Sequence, residues 1–170
     1  MSAASTPARG INPSLVLAGV ALACLVAVTA ALVSQHVFDM QPCPWCVLQR
    51  VIFLAIALAC GLGLLWRSRV GRLISTTLAL LLAASGIAAA LWQHFKAAAS
   101  ASCNLTLADR IVSGFLQLDS LLPEVFSPRA SCADAAVNLL GVPYDFWSLA
   151  LFVAIDGALT LVLITTLRRA

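Results

Sequence analysis

The chain has 170 residues, 62% of them hydrophobic and only 10% charged, with a formal net charge of +3. A soluble domain carries about a quarter charged residues, so this composition excludes a water-soluble core and calls for lipid as the surrounding solvent. The arginines that make the chain basic sit mostly at the ends of apolar runs, which removes the case for a nucleic-acid partner.

In chain order, Met1–Ser14 is small and polar and is expected to carry no fold of its own. Four apolar runs follow at Leu15–Val33, Val47–Trp66, Leu73–Trp92 and Trp147–Leu167, each close to the roughly 20 residues that cross a hydrocarbon core. The first exceeds the roughly 7–15 residues of a secretory-signal core, so it reads as a retained span. Between the first two spans, loop 34–46 ends in Gln41-Pro42-Cys43-Pro44. Arg67–Arg72 is so tight a turn that spans two and three form an antiparallel hairpin. Segment 95–146 is the one large non-spanning region. In it, Thr106-Leu107-Ala108-Asp109 reads as a helix start, and Leu107, Ile111, Phe115, Leu118 and Leu122 recur at helical spacing until Pro123 ends the run. That helix either packs on the bundle top or lies among lipid headgroups. Ala133–Leu140 is a second short helical candidate, stopped by Gly141 and Pro143. The expected fold is all-α: one membrane domain over residues 1–170, a four-helix transmembrane bundle with two outer loops, the second bearing short interfacial helices.

Orientation follows from the basic residues. Arg9, Arg67, Arg69, Arg72, Arg168 and Arg169 lie on one side with no acid beside them, whereas Asp39, Asp109, Asp119, Glu124, Asp134 and Asp145 lie on the other. The positive-inside rule puts both termini in the cytoplasm and the loop cysteines outside, in a compartment that permits disulfides.

Six cysteines fall into two classes. Cys24 and Cys60 lie inside spans, where a lone thiol is a small apolar packing residue. Cys43-Pro44-Trp45-Cys46 opens a span, and a thiol there gains from the free amides and dipole of a helix N-terminus, which favour the thiolate. Arg50 follows Cys46 by one helical turn on the same face. Cys103 and Cys132 lie in the second outer loop. A zinc site wants two close ligand pairs, and the separation of Cys103 from Cys132 argues for redox chemistry instead. Purely structural crosslinks are the other reading; chain entropy favours a long bridged loop over one as small as Cys43 to Cys46, so the latter pair is the more chemical of the two.

The order of a Cys-x-x-Cys, an Arg four residues on, and two spaced cysteines in a second outer loop resembles the DsbB family of bacterial disulfide bond formation proteins. So do Gln35-His36 before Gln41-Pro42-Cys43, and Leu139-Leu140-Gly141 followed by Trp147-Ser148-Leu149. The resemblance covers nearly the whole chain. It implies a disulfide:quinone oxidoreductase of the bacterial inner membrane, with disulfides Cys43–Cys46 and Cys103–Cys132 at rest. Electrons would enter at Cys103 from a DsbA-like thioredoxin-fold oxidase of the periplasm. They would pass through a transient Cys43–Cys132 link and leave from Cys46, beside Arg50, to ubiquinone or menaquinone of the membrane pool. The dipeptide Pro44-Trp45 departs from the family's commoner Pro-Leu or Val-Leu, and Val137 stands where an aromatic is frequent.

His94, at the outer end of span three, reads as an interfacial residue like Trp92; the resemblance adds a place near the quinone. His36 has the same two readings. Asp156, midway along span four, reads as a protonated, hydrogen-bonded acid facing the bundle. Gly61, Gly86 and Ala90 read as small residues that let helices approach. A vitamin K epoxide reductase-like protein carries its cysteine pairs in the opposite order, and a non-enzymatic bundle with structural disulfides has no use for Arg50 at its one-turn offset.

Overall fold

The computed structural model describes residues 12–66, 68–97, 107–134, 138–139 and 141–168. Four helices are long and apolar enough to cross a membrane: α1 (Pro13–Val37), α2 (Pro44–Leu65), α3 (Arg69–Trp92, continued through a π-helical turn over Gln93–Ala97) and α7 (Tyr144–Arg168). Each begins two to four residues before the apolar run that predicts it, because capping residues and prolines are not apolar yet start helices well. Asn12 accepts the Ser14 amide at 3.1 Å, and Ser68 accepts that of Gly71 at 3.1 Å. Pro13 and Pro44 occupy the first helical position, where no amide hydrogen is needed. The antiparallel α2–α3 hairpin expected from the tight basic turn is present, although Arg67 itself lies outside the described residues.

The bundle closes in the order α1, α2, α3, α7, with α1 against α7 as its loosest seam. Leu17, Ile56, Phe152 and Leu159 are fully buried, and the rings of Phe53 and Phe152 stack at 4.0 Å across the interior. Ala79, Ala83, Gly86 and Ala90 line the inner face of α3, and this stripe of small side chains lets α7 come close. A Cβ at Gly86 would overlap the Phe152 ring. Gly61 does not have the packing role expected of it: a Cβ there meets nothing within 4 Å, whereas one at Gly63 would lie 3.0 Å from the Ser75 Cβ. The outward faces carry exposed Leu15, Leu22, Leu58, Leu81 and Leu161, which suit hydrocarbon. Asp156 is half-buried, and among the described residues it has no hydrogen-bond partner, unlike the bonded acid expected there.

The second loop is helical but more broken than its periodicity suggests. α4 (Leu107–Asp109) runs into a π-helical turn, Arg110–Phe115. Gln117 then takes a left-handed φ of 48°, and α5 (Leu118–Leu121) and α6 (Pro123–Phe126) follow. Pro123 therefore starts a helical turn rather than ending one, as its fixed φ allows. The stripe facing α2 is Ala108 and Val112, whereas Leu107, Phe115 and Leu122 are exposed. Only small side chains fit where α4 meets the end of α2, so the larger ones turn outward, as befits a headgroup layer. The expected helix Ala133–Leu140 is not formed over its described residues. Asn138–Leu139 is a strand, β1, paired antiparallel with β2 (Val142–Pro143), through a turn in which Gly141 has φ 79°, a conformation that glycine adopts without strain.

Candidate functional site

Cys43 is the N-cap of α2, so the Cys-x-x-Cys motif wraps its first turn. That turn has amides with no partner in the helix, and two of them are close to sulfur. The Cys46 amide donates to Cys43 Sγ at 3.3 Å, and the Trp45 amide lies near Cys132. Cys43 and Cys46 Sγ are 2.9 Å apart, and Cys132 lies within hydrogen-bond reach of Cys43. Three of the four predicted redox cysteines are thus gathered as free thiols around the start of one helix. Cys103, the fourth, lies outside the described residues. The hydrogen bond to Cys132, then that to Cys46 and burial, pushes the Cys43 thiol above its ordinary value. The same contact holds Cys132 below it, against the opposing effect of burial. Cys24 and Cys60 are fully buried in α1 and α2, away from this cluster.

The loop that carries Cys132 is docked by two sets of bonds. The amides of Arg129 and Ala130 both donate to the Pro42 carbonyl, at 3.0 and 3.3 Å. Deeper in, Arg50 Nη1 donates to the Val125 carbonyl at 2.9 Å and to Gln35 Oε1 at 2.7 Å, while Gln35 Nε2 donates to the Glu124 carbonyl at 3.1 Å. Arg50 Nη2 reaches the Ala31 carbonyl at 3.3 Å. Both side chains are buried. A guanidinium costs several kcal/mol to remove from water unless its donors are met, and here they are met by backbone and amide oxygens. The Arg50 Nε alone among its donors has no partner.

Two cavities meet at Cys46 and Arg50. One, of about 480 Å³, lies on the loop side and is bordered by Asp39, Gln41, Arg129 and Asp134. The other, of about 400 Å³, lies at the loose seam between α1 and α7, with Val28, Phe53, Trp147 and Leu151 as apolar walls and Gln49, Gln93, Arg50 and Cys46 at its head. Tyr144 borders both.

His94 does not border the second cavity. Its Nδ1 is 2.8 Å from Asp145 Oδ2, and its ring packs against Phe95 and Phe146; Asp145 borders the cavity in its place. His36 is exposed. Sequence reading passed over Gln49 and Gln93. Their signal was an uncharged amide inside an apolar run, at the same outer level as Cys46 and Arg50.

Comparison with known proteins places the chain in a family. The family described as Disulfide bond formation protein DsbB matches residues 13–163. Disulfide bond formation protein B of Herminiimonas arsenicoxydans is 34% identical over 145 residues, covering 85% of this chain and 90% of its own. Disulfide bond formation protein B 1 of Pseudomonas savastanoi pv. phaseolicola is 37% identical over 142 residues, covering 82% and 81%. Disulfide bond formation protein B of Polaromonas naphthalenivorans is 31% identical over 160 residues, covering 92% and 94%. With four apolar helices, cysteines at the head of α2, and matches spanning most of its length, the chain belongs to the DsbB family of disulfide bond formation proteins.

Proposed function

We propose that the protein is a disulfide:quinone oxidoreductase that reoxidises a DsbA-like, thioredoxin-fold oxidase in the periplasm. The observation that carries this reading is the position of Cys46, whose sulfur touches Cys43, itself within reach of Cys132, and borders a largely apolar cavity open at a helix seam. Both termini lie in the cytoplasm and the redox cysteines outside, as the distribution of arginine requires.

Each exchange conserves electrons and sulfur bonds. A thiolate of the partner attacks Cys103 of the Cys103–Cys132 disulfide, and Cys132 leaves as a thiolate. The partner's second thiol releases Cys103 and leaves the partner oxidised. Cys132 attacks Cys43 of the Cys43–Cys46 disulfide, and Cys46 leaves as a thiolate. Cys103 then recloses on Cys132, freeing Cys43 to pair again with Cys46 as two electrons depart. A sulfur leaves most readily when its thiolate is stable.

The head of the cavity fits a quinone. Arg50 Nε is a buried donor with no partner, the amides of Gln49 and Gln93 stand beside it, and the walls that follow are apolar. A quinone held there would supply a sink for two electrons and two protons. Arg50 holds positive charge near the sulfur that must carry negative charge.

The test is quinone reduction by the purified protein in mild detergent, with a reduced DsbA-like dithiol protein as donor. Turnover is expected in the wild type. Cys103→Ser should stop reaction with the dithiol protein while leaving Cys43 and Cys46 oxidisable by quinone. Cys46→Ser should stop quinone reduction yet still trap a mixed disulfide through Cys103. Normal turnover in Cys103→Ser, or none in folded wild type, overturns the reading.

A further inference from the structure

α3 ends in a π-helical turn over Gln93–Ala97, and the Gln93 amide is shared between the carbonyls of Ala89 and Ala90. Such turns are uncommon and gather at functional sites, because they redirect side chains that a regular helix would place elsewhere. Here the Gln93 side chain is sent into the bundle, where it is buried. Its Nε2 donates to Cys46 Sγ at 3.3 Å, and its Oε1 accepts from Gln49 Nε2 at 2.7 Å. Gln49 is also buried, so the pair is a closed chain of amides ending on the sulfur.

An amide can present either end. A thiolate accepts and cannot donate, so once Cys46 is ionised only the NH2 end of Gln93 can face it, and Gln49 must then point its own NH2 at Gln93 Oε1. That is the arrangement present. The hydrogen bonds of Arg50 run to Gln35, Ala31 and Val125, so its charge acts on Cys46 through space. Gln93 supplies a direct donor from another helix, and a neutral one adds no charge to repel a thiolate. A hydrogen bond to an ionised group is about twice as strong as one between neutral groups.

We propose that Gln93 is a positioning residue for Cys46: its amide, oriented by Gln49, holds the sulfur at the head of the seam cavity and stabilises it as a thiolate. The claim on the sulfur stands on the geometry alone. Its use in delivering electrons to an acceptor rests on the function proposed above.

The experiment uses full-length protein in detergent with Cys43→Ala, fully reduced and freed of reductant without air, which leaves Cys46 and Cys132 as thiols, and follows their alkylation by iodoacetamide with mass spectrometry in the absence of quinone. The charged and titratable groups around Cys46 are Cys43, replaced alike in every protein compared, Arg50 on α2, Tyr144 and Asp145 on α7, and Asp39, Arg129, Cys132 and Asp134 on the loops; none of these differs between the proteins compared. Gln93→Met keeps the reach and removes the donor. Its Cys46 is expected to react about tenfold more slowly at neutral pH and at the parent's rate at alkaline pH, where the sulfur is fully ionised in both. Gln49→Leu is expected to give a smaller fall of about threefold, and Gln93→Glu, which brings an acid to the sulfur, no rescue. Alkylation of Cys132 is the internal control and should not change. An unchanged or faster reaction of Cys46 in Gln93→Met overturns the proposal, since loosened packing alone raises access. Oxidation of the reduced wild-type protein by a short-chain quinone forms a separate arm. If that oxidation fails while the alkylation gap persists, the acceptor is wrong and the role of Gln93 on the sulfur stands.

Discussion

Gln35 and Arg50 meet inside the bundle through a 2.7 Å hydrogen bond, and each also holds one of two consecutive carbonyls in the second loop, Glu124 and Val125. The arginine one turn below Cys46 is thereby also a clamp on the chain that carries Cys132. Gln35→Leu removes an acceptor and a donor at once and leaves buried polar groups unmet, a loss of about 1–3 kcal/mol each. The expected result is a lower melting temperature in detergent and a smaller yield of the Cys43–Cys132 disulfide, read by non-reducing peptide mapping in a Cys46→Ser background. Gln35→Glu keeps the acceptor for Arg50 and should retain more of both. Equal yields in wild type and Gln35→Leu would show that the clamp does not place Cys132.

Arg50 is expected to matter for the acceptor rather than for the donor protein. Arg50→Met should raise the quinone KM or lower turnover by at least about tenfold, a loss near 1.4 kcal/mol. Arg50→Lys should recover part of it, because charge survives while the planar donor fork is lost. Exchange between the dithiol protein and Cys103–Cys132 should stay within about twofold in both, and wild-type quinone kinetics in Arg50→Met would reduce the residue to a loop anchor.

The neighbouring thiols of Cys43 and Cys132 should titrate apart. In the fully reduced protein, Cys43 is held above the ordinary thiol value by Cys132, Cys46 and burial, and Cys132 below it by Cys43. A raised value keeps Cys43 protonated as pH climbs past the usual thiol range; a lowered one leaves Cys132 ionised as pH falls beneath it. Cys132 is therefore expected to alkylate faster than Cys43 at neutral pH, with the difference shrinking as the solution becomes alkaline. Quantitative mass spectrometry of labelled peptides across pH checks this, and a faster Cys43 at neutral pH contradicts it.

Much of this arrangement can be read from residue order. Cys43, Pro44 and Cys46 announce a helix start because proline suits the first turn and sulfur can accept the free amides there. Arg50 follows from the rise of one turn. The bond from Gln93 to Cys46 was not legible, because it depends on the register of the α2–α3 hairpin and on a π-helical turn that shifts the side chain, and neither leaves a local pattern. The β1–β2 hairpin was missed for a related reason: two-residue strands are too short for any periodicity, and only the left-handed Gly141 marks the reversal. The loop helix was found but its inward face was not, since periodicity locates apolar residues without saying which of them a close contact can admit.

Two glycines separate close approach from open space. Gly86→Ala drives a methyl group into the Phe152 ring, which is itself stacked on Phe53, and such overpacking costs about 1–3 kcal/mol. Gly61→Ala meets nothing within 4 Å and should leave stability within about 0.5 kcal/mol or slightly raise it, as a better helix former. Thermal unfolding in one detergent compares them; a Gly86→Ala protein as stable as Gly61→Ala would mean that α3 and α7 can part without loss.

Cys46 is common to the wall of a cavity rimmed by charged loop residues and of a largely apolar one, and both lie at the same end of the bundle. Under the proposed function, electrons arrive from, and protons are drawn from, one face of the bilayer, and the reduced carrier diffuses off sideways with both. No net charge then traverses the hydrocarbon in a cycle. Displacing one elementary charge across a membrane is worth about 2.3 kcal/mol per 100 mV, and this route escapes that coupling, so disulfide formation would run at the same pace in an energised cell and in one whose membrane voltage has collapsed.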